Sequence, residues 1–386
     1  MRFTQLTVAV ALATALAACN GDKTTTDTGA TTDMDTDTDV DADADADADA
    51  DTAADTADTG TTAPPPWDVC ADATAPYTAL QDALDAAQPG DTVRVCAGTW
   101  GPAVAAADVV LVGEDAATTW LVGVAGPALT VAAADVAASG FTITGGSAPA
   151  EQGAAVWVDG GALTLTDAVV SGCTGPAPAI RCDDAACTLR DVALEGNATE
   201  DAVLRATGGR LDLRRATVWS NYAAGLLAVE AEAELHGVVV LDNSVLPGTA
   251  PLVAVAPPAL ASATVANLSV ALNDGGGPDV AAVVLGPGAA LSSSVIALNY
   301  AAGVEVQGAD AAWCDVYGNA GTAFVGGIGA GTGTLDADPL FTDALADDLT
   351  LGAGSPCLDA GDPDPAANDR DGSRNDVGAF GGPDGL

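Results

Sequence analysis

Three stretches of the chain decide its fold: "LTLTDAVVSGC" at residues 163–173, "CTLRDVALEGN" at residues 187–197 and "LDLRRATVWSN" at residues 211–221. Aligned on their last residue, all three have a leucine eight positions earlier and a valine or leucine three positions earlier. Short apolar stretches that recur in fixed columns are typical of stacked strands rather than helices. The alignment therefore predicts a repeated, strand-based architecture.

The last column of this alignment continues downstream as asparagine. Its members recur 20 to 30 residues apart: Asn197, Asn221, Asn243, Asn273, Asn299 and Asn319. A period of this length, with glycine pairs such as Gly160-Gly161 at the joints, predicts a solenoid whose turns stack about 4.8 Å apart. Stacked asparagines at one corner predict a ladder in which each side-chain amide bonds to the neighbouring turns. Cys173 takes the asparagine's place in one turn, so we expect it to be a buried, unpaired thiol.

Both ends of the predicted solenoid resemble a known family. Residues 76–100, "PYTALQDALDAAQPGDTVRVCAGTW", resemble the N-terminal capping helix and first strand of the pectin-lyase-like superfamily, and "VAASGFTITGG" at residues 136–146 resembles one of its turns. Residues 336–363, "DADPLFTDALADDLTLGAGSPCLDAGDP", followed by "DRDGSRNDVGAF", resemble the closing module of bacterial extracellular β-helix proteins. The resemblance implies an all-β fold: a right-handed parallel β-helix with an N-terminal capping helix over residues 67–335, and a closing module over residues 336–386.

The first 19 residues have the pattern of an export signal. Arg2 precedes an apolar run too short to span a bilayer, as in a signal peptide. The run ends in Leu16-Ala17-Ala18-Cys19, which resembles the bacterial lipobox, so Cys19 is the predicted site of lipid attachment. An ordinary secretory signal is the alternative. We expect an exported protein held only by this lipid in the bacterial envelope, at the outer membrane or cell surface.

Residues 20–66 form an acidic linker. They contain 14 Asp against one basic residue, Lys23, and end in three prolines. Such a segment has little apolar surface to bury and its like charges repel, so we expect it to be disordered and extended. A spacer that lifts the folded part off the membrane is the simplest interpretation.

Charge and cysteine content limit the function classes. The chain has 54 acidic residues, 11 Lys and Arg, and a formal net charge of −43, which argues against nucleic acid as a partner. In an exported protein the cysteines are candidates for disulfides. Chain separation favours the pairs Cys70–Cys96 and Cys182–Cys187, with Cys314–Cys357 as a third. Zinc is the weaker alternative, because the chain lacks CxxC motifs and has one histidine. We expect a monomer.

The resemblance to the superfamily is specific for fold but not for activity, because its members include lyases, hydrolases, esterases and proteins with no activity. Asp183-Asp184 is an acidic pair, but it lies between two cysteines in an expected corner loop. His236-Gly237 reverses the Gly-His order of the polygalacturonase-type pattern. Lysine is absent after Lys23, which removes one base that a pectate lyase pattern could use.

Six arginines concentrate between residues 181 and 215, against an acidic background. In the repeat alignment Arg190 and Arg214 share one column, and Arg181 and Arg205 share another. One interpretation is a lattice of surface salt bridges between turns, with Asp167 and Asp191 in the adjacent column. The other is a groove in which guanidinium groups hold the carboxylates of an acidic glycan. The candidate ligand-binding residues are Arg190, Arg214, Arg215, Trp219 and Tyr222.

The closing module offers a candidate metal site. Asp369, Asp371 and Asp376 could bind calcium with nearby carbonyls, whereas Arg370 and Arg374 could instead neutralise them within a plain cap. No other cofactor is expected. We therefore expect a non-catalytic envelope lipoprotein that binds an extracellular polysaccharide or a surface protein, or acts as a structural element. The alternative is a polysaccharide lyase or glycoside hydrolase acting on an acidic glycan.

Overall fold

The computed structural model describes residues 68–246, 250–308, 310–325 and 331–386. These residues form a parallel β-solenoid of about nine turns, so the all-β parallel β-helix is confirmed. The predicted signal peptide, its Cys19 and the acidic linker lie outside the described residues. None of the helices in the described ranges is long and apolar enough to cross a membrane.

The elements follow one another in chain order. A short helix comes first, α1 (Leu80–Ala86). The early turns contain β1 (Asp91–Val95), β2 (Gly98–Trp100), β3 (Ala103–Ala105), β4 (Val109–Gly113), β5 (Thr119–Gly123), β6 (Leu129–Gly145), β7 (Val156–Ser171), β8 (Thr174–Gly175) and β9 (Ile180–Asp183). The central turns contain β10 (Ala186–Glu195), β11 (Ala198–Thr199), β12 (Ala202–Trp219), β13 (Tyr222–Ala223), β14 (Gly225–Leu241), β15 (Ser244–Val245), β16 (Val253–Val255) and β17 (Ala263–Ala271). The late turns contain β18 (Gly277–Leu285), β19 (Ala289–Ser292), β20 (Val295–Ala297), β21 (Ala301–Val306), β22 (Asp310–Ala312), β23 (Asp315–Tyr317) and β24 (Phe324–Val325).

Each turn contributes parallel strand segments to three faces. The first face stacks β1, β4, the middle of β6 and β7, the start of β10, the middle of β12 and β14, the start of β17, and then β19 and β22. The second face stacks β2, β5, the ends of β6, β7, β10, β12, β14 and β17, then β20 and β23. The third face stacks β3, the start of β6, β7, β12 and β14, and β9, β16, β18, β21 and β24. The short strands β8, β11, β13 and β15 pair separately after the asparagine corner.

The core fills the inside of the solenoid. Leu165, Leu189 and Leu213, from the repeat alignment, are fully buried and pair in register across neighbouring turns. Because side chains alternate between the two sides of a strand, the residues between them point outward. The repeat thus predicts both the register and the core.

The N-terminal helix covers the first turn, as predicted. Its buried side chains are Leu80, Ala83 and Leu84. Gln81 accepts a hydrogen bond from the Val104 backbone N–H at 2.8 Å and donates one to the Val104 carbonyl at 3.2 Å. These bonds satisfy backbone groups on the open edge of β3, where a further strand could otherwise pair.

Residues 336–386, here the closing segment, contain an antiparallel pair, β25 (Phe341–Asp343) and β26 (Asp348–Leu351), and two short 3₁₀ helices, Ala344–Ala346 and Pro365–Ala367. The segment runs back along the solenoid over the outside of the second face. Its Leu349 and Ala379 pack on Val239 and Leu241, and its Val377 packs on Val295. The closing segment is therefore a lateral cover over several turns.

Candidate functional site

The asparagine ladder lies at the corner that follows the second face. Asn221 donates from Nδ2 to the Asn243 side-chain oxygen at 2.9 Å and to the Leu194 carbonyl at 2.9 Å, while its own side-chain oxygen accepts from the backbone and amide of Asn197. The same pattern continues through Asn273, Asn299 and Asn319. The predicted ladder is confirmed, and it holds the register of the faces beside it.

The cysteines form two of the three predicted disulfides, Cys70–Cys96 and Cys182–Cys187. Cys173 is free and buried, as expected from its place in the ladder, and burial raises the pKa of its thiol to about 12.

The predicted Cys314–Cys357 disulfide is wrong, because both residues are free thiols. Cys314 points into the solenoid core, whereas Cys357 belongs to the closing segment on the outside of the second face. Asp315, which follows Cys314 and points outward, accepts a hydrogen bond from the Cys357 thiol at 3.3 Å. Burial raises the pKa of the Asp315 carboxyl.

The arginine columns lie in the predicted register. Arg190 lies in strand register with Arg214 on the first face, and Arg181 lies in register with Arg205 on the third. On the first face the column continues from Arg214 to His236. The repeat alignment therefore placed these side chains in the correct columns.

Ion pairs join the first-face arginines into one network, the arginine lattice. Asp212 lies between the two arginines of the column and accepts from Arg190 at 2.8 Å and from Arg214 at 2.6 Å. Arg214 also pairs with Glu234 of the next turn and with Asp384 of the closing segment. The other members are Arg210, paired with Glu232 and Glu234, and Arg215, paired with Asp191 and Asp384.

The ion pairs of the lattice shift the pKa values of Asp212 and Arg214 in the directions that favour their charged forms. Burial alone would raise the pKa of the Asp212 carboxyl, but hydrogen bonds from Arg214 and Arg190 outweigh it and keep the pKa below its usual value. Burial opposes the charge of Arg214, yet Asp212 and Asp384 raise the pKa of its guanidinium. The sequence pointed to Asp167 and Asp191 as the neighbouring acids, but Arg190 and Arg214 pair with Asp212, Glu234 and Asp384 instead.

The five candidate ligand-binding residues do not converge on one site. Arg190 and Arg214 lie on the first face, and Arg215 lies at the corner that follows it, with a φ of 48°. Trp219 lies on the second face, paired with Leu241, and Tyr222 lies on β13 beyond the ladder. Residues that are close in the sequence therefore lie on different faces of the solenoid.

The candidate calcium ligands are occupied by the protein's own hydrogen-bond donors. Asp369 accepts from the backbone N–H groups of Asp376 and Gly382, and Asp371 accepts from Ser373. Asp376 accepts from the backbone of Asp359 at 2.6 Å. Within the described residues no group of three or more histidine, cysteine or acidic side chains is arranged to hold a metal ion. The structure thus does not assemble Asp369, Asp371 and Asp376 into the predicted site.

A cleft of about 240 Å³ opens between the first face and the closing segment. His236 lines one side, while Asp362 and Asp364 line the other. Burial, and then the charge of Arg214, lower the pKa of the His236 imidazole, which is therefore neutral at neutral pH and able to accept a proton.

Sequence reasoning missed this cleft because it depends on where the closing segment packs. The signal that could have shown it is the uninterrupted apolar run from Val238 to Leu241, which a strand buried on both sides requires. Gly237 gives a second signal: it has a φ of 62°, and a side chain there would meet the Asp384 carbonyl at 2.4 Å.

Comparison with known proteins finds matches among solved structures at low sequence identity. No protein-family model and no curated protein matches the chain. Among solved structures, a pectate lyase matches with a TM-score of 0.46 and 11% identity over 79% of this chain and 91% of its own. A pectin methylesterase from Erwinia chrysanthemi matches with a TM-score of 0.37 and 10% identity over 75% of this chain and 98% of its own. An alginate lyase from a Paenibacillus species matches with a TM-score of 0.27 and 14% identity over 63% of this chain and 96% of its own. The strand pairing within the chain itself shows a parallel β-solenoid.

Proposed function

We propose that this chain is an exported lipoprotein that displays its β-helix in the bacterial envelope as a non-catalytic module. The module binds an extracellular glycan or a protein partner, or acts as a structural element. The lipobox at Cys19 and the acidic linker support display on the membrane. The arginine lattice carries the non-catalytic part of the proposal.

The lattice opposes catalysis by arginine for an electrostatic reason. A lyase that used arginine as its base would need a guanidinium that loses its proton readily. In this chain Asp212 and Asp384 stabilise the protonated form of Arg214 and raise its pKa. The same ion pairs occupy the guanidinium donors that would hold a carboxylate of an acidic glycan.

An assay of acidic-glycan turnover tests the proposal. Polygalacturonate and alginate are incubated with the protein, with and without calcium, while unsaturated products are read by absorbance and new reducing ends by a colour reaction. We expect no turnover by the wild type. Arg190→Ala combined with Arg214→Ala should change only stability, and should lower it by about 1–3 kcal/mol because the buried Asp212 carboxylate loses both arginine partners. Turnover by the wild type would overturn the proposal, and its loss in this double variant would place the activity at the arginine lattice.

The cleft at His236 favours a second candidate function, a polysaccharide lyase or glycoside hydrolase. It contains a neutral imidazole opposite two carboxylates, Asp362 and Asp364, groups that can transfer protons in such reactions. If turnover is found, His236→Ala should abolish it. Thr264→Val, which changes the same cleft wall without a titratable group, should leave it unchanged.

A further inference from the structure

Trp219 is exposed at the point where the closing segment stops covering the second face. Its side chain is 39% exposed, although it lies in register with Leu241, which the closing segment buries. The neighbour in the preceding turn is Glu195. Trp219 thus marks the step between the covered and the open parts of this face.

Trp219 lines two cavities. The apolar cavity, about 460 Å³, is lined by Thr217, Trp219, Val239, Leu241, Asp347, Leu349, Phe380 and Leu386. The second cavity, about 220 Å³, is lined by Ser171, Gly172, Glu195, Gly196, Trp219 and Ser220. A flat ring between an apolar wall and a set of hydroxyl and carboxylate groups matches the surface of a pyranose, which has apolar C–H faces and a polar rim.

The acidic side chains around Trp219 favour an uncharged sugar over an acidic one. Glu195 and Asp347 line the two cavities, and no lysine or arginine does so among the described residues of their walls. The arginines of the same turn, Arg214 and Arg215, are paired with acids at the first face and its corner. A sugar carboxylate would be repelled here, whereas hydroxyl groups can donate hydrogen bonds to Glu195.

We propose that Trp219 and its two cavities form a binding subsite for an uncharged pyranose ring of an extracellular glycan. The ring stacks on the indole, its apolar substituents enter the cavity beside Val239 and Phe380, and its hydroxyl groups face Ser220 and Glu195. This inference rests on the glycan-binding form of the proposed function. It differs from the acidic-glycan groove in ligand charge and in the face of the solenoid used.

Calorimetric titration of the full chain with chitotriose, cellotriose and trigalacturonate tests the subsite. We expect chitotriose or cellotriose to bind, with affinity unchanged between about 0.05 M and about 0.5 M salt, because no charge is neutralised. Trp219→Ala should weaken binding about tenfold or more, and Trp219→Phe should weaken it less.

Trp120→Ala is the matched control. Trp120 lies on the same face with 40% of its side chain exposed, four turns from Trp219, or about 19 Å at ~4.8 Å per turn. This variant should bind the sugars as the wild type does. Thermal unfolding of each variant checks that it is folded.

The outcomes separate the subsite from the broader proposal. Unchanged sugar binding by folded Trp219→Ala would overturn the subsite and leave glycan binding intact. Salt-sensitive binding of trigalacturonate alone would overturn the subsite and point to the arginine lattice. Failure of all three sugars to bind the wild type would also overturn it, while turnover and membrane anchoring test the proposed function independently.

Discussion

At the scale of single residues, the ladder asparagines solve a problem that every solenoid corner creates. Where the chain turns, regular strand pairing stops and backbone groups face the interior without partners. Asn221 is 2% exposed, and its amide donates to carbonyl groups of two turns, at Leu194 and Trp219. The ladder was predictable from the sequence because it repeats in one column, so that only the period was needed to place it.

We expect Asn221→Ala to destabilise the fold by about 1–3 kcal/mol, since it leaves buried carbonyl groups and the Asn197 donors without partners. Urea unfolding followed by circular dichroism measures this change. Ser220→Ala, at the exposed neighbouring position, is the control and should stay within roughly 0.5 kcal/mol of the wild type. A similarly small effect of Asn221→Ala would contradict the structural role of the ladder.

At the scale of elements, the closing segment decides which faces of the solenoid are accessible. It buries the outer side of the second face at Val239, Leu241 and Val295, and its Asp384 reaches Arg214 on the first face. The path of this segment could not be predicted, because a segment that does not repeat has no column that fixes its register. The separation of Cys314 from Cys357 and the cleft at His236 both follow from that path.

Asp384→Ala should loosen the end of the closing segment. The substitution removes one partner of Arg214 and one of Arg215, while Asp212, Glu234 and Asp191 still neutralise them. The expected loss of stability is therefore small, about 1 kcal/mol. Faster hydrogen exchange at residues 376–386 should reveal local opening. Glu232→Ala removes a more exposed partner, that of Arg210, and should leave this exchange unchanged; equal protection in both variants would show that Asp384 does not hold the segment.

At the scale of the whole molecule, the clustered arginines of the described residues pair with acids of the same chain. The sequence predicted the columns of Arg190 and Arg214 correctly, because strand register follows the repeat. It could not separate a lattice from a ligand groove, since that choice depends on which acids reach the guanidinium groups. Asp384 lies 170 residues from Arg214 along the chain, and only the folded structure brings the two together. Trp219 and Arg214 are the opposite case: they are five residues apart in the sequence, but they lie on different faces of the solenoid.

The anchoring of the molecule gives the final prediction. Cys19→Ser removes the thiol that accepts lipid in the proposed lipobox, so the folded domain should move from the membrane pellet to the soluble fraction after cell lysis and centrifugation. Asn20→Ser keeps the thiol and changes only the adjacent residue, so this control should remain in the pellet. Because one lipid-modified cysteine is the proposed anchor, the released domain should keep the unfolding temperature of the anchored protein. A Cys19→Ser protein that still sediments with membranes would show that another part of the molecule binds them, and the lipoprotein proposal would fail.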